Sequence, residues 1–144
     1  MSRSRASESP DGPAPGLGEL ESLVDRVRAT GLEVSLTVRG DTSDLPSGLQ
    51  MTVYRVIQEA LTNVLKHADG ATAEVAVRRY AGQLSAEVVN SPPLAPVRAA
   101  GSGHGLIGMS ERARIYGGTL VAGPRADGGF GVELTVPLGG GTLS

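Results

Sequence analysis

Glu59 and Asn63 stand four residues apart in a stretch of helical periodicity, so their side chains share one patch of a helix surface. On a wheel of ~100° per residue, Lys66 falls within about 20° of Glu59, and His67 reaches the edge of the same patch. A carboxylate, an amide oxygen and an ammonium gathered there suit a magnesium–phosphate pair. Mg²⁺ takes oxygen ligands at ~2.0–2.1 Å and keeps several waters, so one Asn or Glu plus phosphate oxygens completes its shell. Lysine adds a point charge for phosphate. The same residues also compose an ordinary solvated helix face, which is the commoner arrangement.

The second candidate is Gly101-Ser102-Gly103-His104-Gly105-Leu106, a glycine-rich loop running into a helix. A helix start offers unpaired N–H groups and a positive dipole end, and glycines let the backbone approach an anion closely. On this segment alone a flexible hinge is an equal reading. Taken together, a magnesium patch and an anion-binding helix start are what a nucleoside triphosphate needs. His67 and His104 are the two histidines of the chain. Without cysteine or convergent ligands they make no zinc site. Either could accept a phosphoryl group, but His67 reads better as a polar helix end and His104 as a lid residue. Arg112, two turns past the glycines, could reach a phosphate, although a surface charge is the more frequent role.

The elements that must position these residues follow from periodicity. Leu20, Leu23, Val24 and Val27 recur at helical spacing, with Gly31 as the stop. Leu32, Val34, Leu36 and Val38 alternate with polar residues and predict a half-buried strand. Pro46 suits the first turn of a long helix over Leu49–Ala68, whose apolar stripe is Val53, Val56, Ile57, Ala60, Leu61, Val64, Leu65 and Ala68. Arg55 and Thr62 join Glu59, Asn63 and Lys66 on its polar side, and Asp69-Gly70 ends it. Strands over Thr72–Tyr80 and Gln83–Asn90 flank a tight turn at Ala81-Gly82. Ser91–Gly105 reads as a long mobile loop, followed by a helix over Leu106–Tyr116 stopped at Gly117-Gly118. Strands Thr119–Ala122 and Gly131–Pro137 close the domain across a turn holding Gly128-Gly129. Strands adjoining strands as well as helices imply an α+β two-layer sandwich, a mixed and mostly antiparallel sheet with helices on one face.

Composition narrows the function. The 144 residues suit one domain, expected over 18–138, between a disordered leader at 1–17 and a frayed tail at 139–144. One Phe, three Tyr and no Trp leave few platforms for stacking bases. A net charge of −2 provides no basic field for nucleic acid or an anionic membrane. No apolar run approaches the ~20 residues of a membrane span, and the absence of cysteine fits a cytoplasmic chain.

At Tyr54–Ala68 the sequence resembles the asparagine box of sensor histidine kinases, in the variant of the nitrate-sensor and desaturase-regulator subfamily. Gly101–Met109 with Glu111-Arg112 resembles that subfamily's second glycine box, and Gly128–Gly131 with Leu134–Pro137 its closing strand. The resemblance spans about Leu20 to Leu138. It implies the Bergerat-type ATPase fold shared with gyrase, the heat-shock chaperone and the mismatch-repair ATPase, and it implies ATP and Mg²⁺ as cofactors. By the same resemblance Asn63 would hold Mg²⁺ and Glu59 would be the polarising or basic carboxylate. Lys66 and His67 would lie near the phosphates, Gly101, Gly103, His104 and Gly105 would form the ATP lid, and Leu106 would begin the helix behind it. The partners implied are a dimerisation domain bearing the phosphoacceptor histidine and, indirectly, a response regulator.

Two departures from the family stand out. Where the family carries an Asp-x-Gly-x-Gly run whose Asp accepts from the adenine amino group, this chain has Val89-Asn90-Ser91-Pro92-Pro93. Asn90 can still accept through its amide oxygen, at a loss of about 1 kcal/mol of charge assistance. No segment resembles a phosphoacceptor hairpin, so the chain is expected to be a fragment of a longer kinase or to act on a partner. A free-standing anti-sigma-type regulator or serine kinase on the same fold is a second reading, and a degenerate nucleotide-binding interaction module is a third.

Overall fold

The computed structural model describes residues 16–67, 70–80, 82–92 and 104–138, with backbone alone for His67 and residues 104–107. A 3-10 turn at Leu17–Glu19 leads into α1 (Leu20–Arg28), followed by β1 (Glu33–Arg39) and the long helix α2 (Ser47–His67). After these come β2 (Thr72–Tyr80), β3 (Gln83–Asn90), α3 (His104–Arg114), β4 (Thr119–Pro124) and β5 (Phe130–Pro137).

Period-two alternation decides the sheet. Its five strands run in the order β1-β2-β3-β5-β4. β1 pairs parallel to β2, and the remaining pairings are antiparallel. The register lines up Val75, Val88 and Val132 on one face, and beside them Val77, Ala86 and Leu134. All six are buried. The helices cover this face, α2 packing on β2, β3 and β5, α1 on β1, and α3 on β4. The expected two-layer sandwich is the observed fold.

Helical period decides the other layer. Leu20, Leu23, Val24 and Val27 of α1 are buried, as are Val53, Val56, Ile57, Ala60, Leu61 and Val64 of α2. Each Leu, Val or Ile among them contributes about 1.5–3 kcal/mol when removed from water. Leu65 departs from the expected stripe. It is 43% exposed, bordering an open groove with Leu32 and Ala71, while Val64 beside it takes the buried place against those two. Val38 is likewise exposed at the far end of β1.

Several boundaries moved. α2 begins at Ser47, where the Pro46 carbonyl accepts the Gln50 N–H at 3.0 Å. α3 starts at His104, two residues before the expected Leu106. First-turn N–H groups need no partner within the helix, so glycine costs less there than in an interior. β4 runs on to Pro124, and β5 begins at Phe130. Proline is tolerated there because β4 is an edge strand. α3 ends at Arg114, two residues before the expected Tyr116, and the two glycines cap it. Gly117 adopts φ 75°, its N–H reaches the Arg114 carbonyl, and the Gly118 N–H reaches the Ala113 carbonyl. These two bonds are the pair of a Schellman cap.

Candidate nucleotide site

α2 carries Glu59 and Asn63 on the flank of its buried stripe, and both are half-buried. Lys66 lies further round and is exposed. Thr62, between them, spends its hydroxyl on the Gln58 carbonyl at 2.9 Å and offers less to a ligand. His67 is the last residue of α2. No group of three His, Cys, Asp or Glu side chains that could hold a metal occurs among the described residues. Asn63 and Glu59 carry oxygen donors of the kind Mg²⁺ takes, and a magnesium ion shared with phosphate oxygens needs only one or two from the protein.

Asn90 ends β3 and is only 6% exposed. Its register partners are Ala73 on β2 and Phe130 on β5, which places it on the helix-covered face. The carboxamide Nδ2 donates to the Ser91 carbonyl at 2.9 Å. This contact fixes the amide orientation, since the flipped form would set two oxygens against each other. Among the described residues no donor meets Oδ1. A buried acceptor left open costs about 1–3 kcal/mol unless something fills it, so Oδ1 is suited to a ligand N–H.

Neighbouring residues hold Asn90 in place. The Ser91 N–H donates to the Thr72 carbonyl at 2.9 Å, and the Ser91 hydroxyl accepts from the Thr72 N–H at 2.9 Å. On the other side Gly129 is buried against the Asn90 carbonyl, with its N–H bonded to Asp127 Oδ1 at 2.8 Å. Gly128 (φ 93°) lies over Pro92. These positioning residues were missed at the level of sequence. The Gly128-Gly129 pair signalled a turn, but not that the turn rests on Asn90-Ser91-Pro92.

The glycine segment is only partly in view. Gly101 and Gly103 lie outside the described residues. His104, Gly105 and Leu106 form the first turn of α3, which corrects the expectation of a lid loop running through Gly105. α3 packs against α2, and the Tyr116 hydroxyl just past its end abuts Gly48 in the first turn of α2. The C-terminal end of α3 is thus moored at the start of α2. Its first turn stands ~16 Å away, at ~1.5 Å per residue.

No family model matches the chain. Over 128 residues, 85% of its length, it is 34% identical to the sensor histidine kinase YxjM of Bacillus subtilis. Over 116 residues, 75% of its length, it is 32% identical to the oxygen sensor histidine kinase NreB of Staphylococcus carnosus. It spans 30% and 32% of those two proteins. Among solved structures it resembles the histidine kinase domain of the blue-light activated kinase of Erythrobacter litoralis EL346. The TM-score is 0.62 at 21% identity, covering 90% of this chain and 70% of that one. The catalytic domain of histidine kinase ThkA gives a TM-score of 0.57 at 15% identity, covering 85% and 94%. Sequence and fold thus agree, and the anti-sigma and degenerate readings are not favoured: the chain belongs to the sensor histidine kinase family and has the fold of its catalytic domains.

Proposed function

We propose that this domain binds Mg²⁺-ATP between α2 and the start of α3 and donates the γ-phosphoryl group to a histidine on a separate dimerisation domain. In that reaction an imidazole nitrogen attacks the γ-phosphorus as the bond to the β–γ bridging oxygen breaks. ADP leaves with that electron pair, and the imidazole proton passes to a base, the role assigned to Glu59. Asn63 would hold Mg²⁺, which neutralises phosphate charge when bound. Lys66 and His67 would stand beside the phosphates. Gly101, Gly103, His104, Gly105 and Leu106 would offer backbone N–H groups to them at a helix start. A response regulator would then receive the phosphoryl group, in keeping with the cytoplasmic side of a signalling system. No helix among the described residues is long and apolar enough to cross a membrane.

The observation that carries the reading is the Asn90 carboxamide, buried on the helix-covered face, with Nδ2 on the Ser91 carbonyl and no donor on Oδ1 among the described residues. It supplies the acceptor that an adenine amino group requires. Titration with Mg²⁺-ATP tests the site, with Asn63→Ala expected to lose most of the magnesium-dependent part of the binding. Incubation of the domain with a dimerisation domain of a related kinase and γ-labelled ATP tests the reaction. Acid-labile, base-stable label on histidine is the expected product. Absence of binding at millimolar nucleotide would refute the proposal.

A further inference from the structure

The sheet face turned away from the helices carries charge in an unusual order. Glu87 of β3 stands directly opposite Glu133 of β5. Arg39 of β1 stands directly opposite Arg78 of β2. All four alternate with the buried residues of their strands, so they project from the open face, and Glu133, Arg39 and Arg78 are exposed. Like charges directly opposite one another weaken a sheet. Arg78 and Glu87 are diagonal neighbours, since Arg78 pairs with Ser85 and Glu87 with Ala76. No ion pair joins any of the four among the described residues, where the recorded pairs are Arg28–Asp25 and Arg79–Asp44.

We propose that this open face pairs with the same face of a second copy of the chain, the Arg39–Arg78 pair of each copy meeting the Glu87–Glu133 pair of the other. A twofold axis lying in the plane of contact exchanges any two patches on one face, so both matches form at once in a self-complementary interface. The centres of the two patches stand ~12 Å apart, given strands ~4.8 Å apart and ~3.4 Å per residue. Val121 of β4, 66% exposed and paired with Glu133, sits at the margin and adds apolar area. The five strands present roughly 500 Å² per partner, below the ~800 Å² of a standard interface, so the association is weak and transient. Electrostatic complementarity sets its orientation.

Sedimentation of the whole chain at ~0.5 mM, a concentration suited to a transient contact, is expected to show a monomer–dimer equilibrium that weakens as salt is raised. The double variants Glu87→Lys/Glu133→Lys and Arg39→Glu/Arg78→Glu should each raise the dissociation constant ~10-fold or more. An equal mixture of the two variants should restore pairing as a heterodimer, a result that misfolded protein could not give. Circular dichroism melts confirm that both variants fold. A monomer at every concentration, a dimer indifferent to both variants, or a mixture that fails to pair would each overturn the proposal. ATP binding is expected to be unchanged in both variants, so this test stands apart from that of the nucleotide site.

Discussion

Gly129 lies so close to the Asn90 carbonyl oxygen that a β-carbon has no room between them. The β4–β5 turn therefore rests directly on the end of β3, and the conflict falls on backbone, which does not swing aside as a side chain would. Gly129→Ala is expected to destabilise the domain by about 1–3 kcal/mol and to weaken ATP binding by displacing Asn90. Gly123→Ala, on the same hairpin with nothing within 4 Å, is the control and should be nearly neutral. Urea unfolding compares the two, and equal midpoints would show that the turn does not bear on Asn90.

Because one Nδ2 hydrogen of Asn90 is bonded to the Ser91 carbonyl, the carboxamide is held with Oδ1 as its acceptor side. Adenine offers an amino donor at that edge, whereas hypoxanthine offers a carbonyl. ATP should therefore bind about tenfold tighter than ITP, the result of losing one hydrogen bond and opposing two acceptors. Asn90→Asp should strengthen ATP binding about fivefold through charge assistance of ~1 kcal/mol. Calorimetry with both nucleotides measures each effect. Equal affinities for ATP and ITP would remove Asn90 from base recognition.

Two glycines of the α3 region should respond in opposite directions. Gly117 holds φ 75° at the Schellman cap, a conformation that costs an L-residue about 1 kcal/mol, so Gly117→Ala destabilises. Gly108 is helical, exposed and without a neighbour within 4 Å. Gly108→Ala should stabilise by about 0.5–1 kcal/mol. Thermal melts of the two variants decide it, and a shift in the same direction would contradict the assigned helix end.

Asp41 lies in the loop before α2, where the Ser43 hydroxyl and then the Ser43 N–H bond its carboxylate, with Arg79 adding a smaller attraction. These contacts hold its carboxyl below the ordinary 3.8. A depressed carboxyl stabilises the fold above its unfolded pKa, and the contribution disappears as pH falls through the lower folded value. Ser43→Ala should raise the Asp41 midpoint toward 3.8 in a carbon-detected NMR titration. An unmoved midpoint would assign the shift to something other than Ser43.

Local chemistry made much of this protein legible. The spacing of Val53, Val56, Ile57, Ala60 and Leu61 commits α2 to a helix and leaves Glu59 and Asn63 at its flank, because 3.6 residues per turn allows no other arrangement. Alternation over Thr72–Tyr80 and Gln83–Asn90 gave those two strands their observed bounds, since a hairpin with a short turn has almost no freedom of register. The asparagine box carried the family.

Tertiary structure alone decided the rest. Leu65 belongs to the apolar stripe by period, yet it is exposed, because burial depends on what lies opposite and nothing local records that. Asn90 reads in sequence as an ambivalent amide. Only the fold, by turning Ser91 back onto Thr72 and setting Gly129 against it, buries Asn90 and sets the orientation of its carboxamide. The facing of Glu87 with Glu133, and of Arg39 with Arg78, likewise arises from strand register. Residues 46 positions apart in the chain, or 39, meet only once five strands have chosen their neighbours.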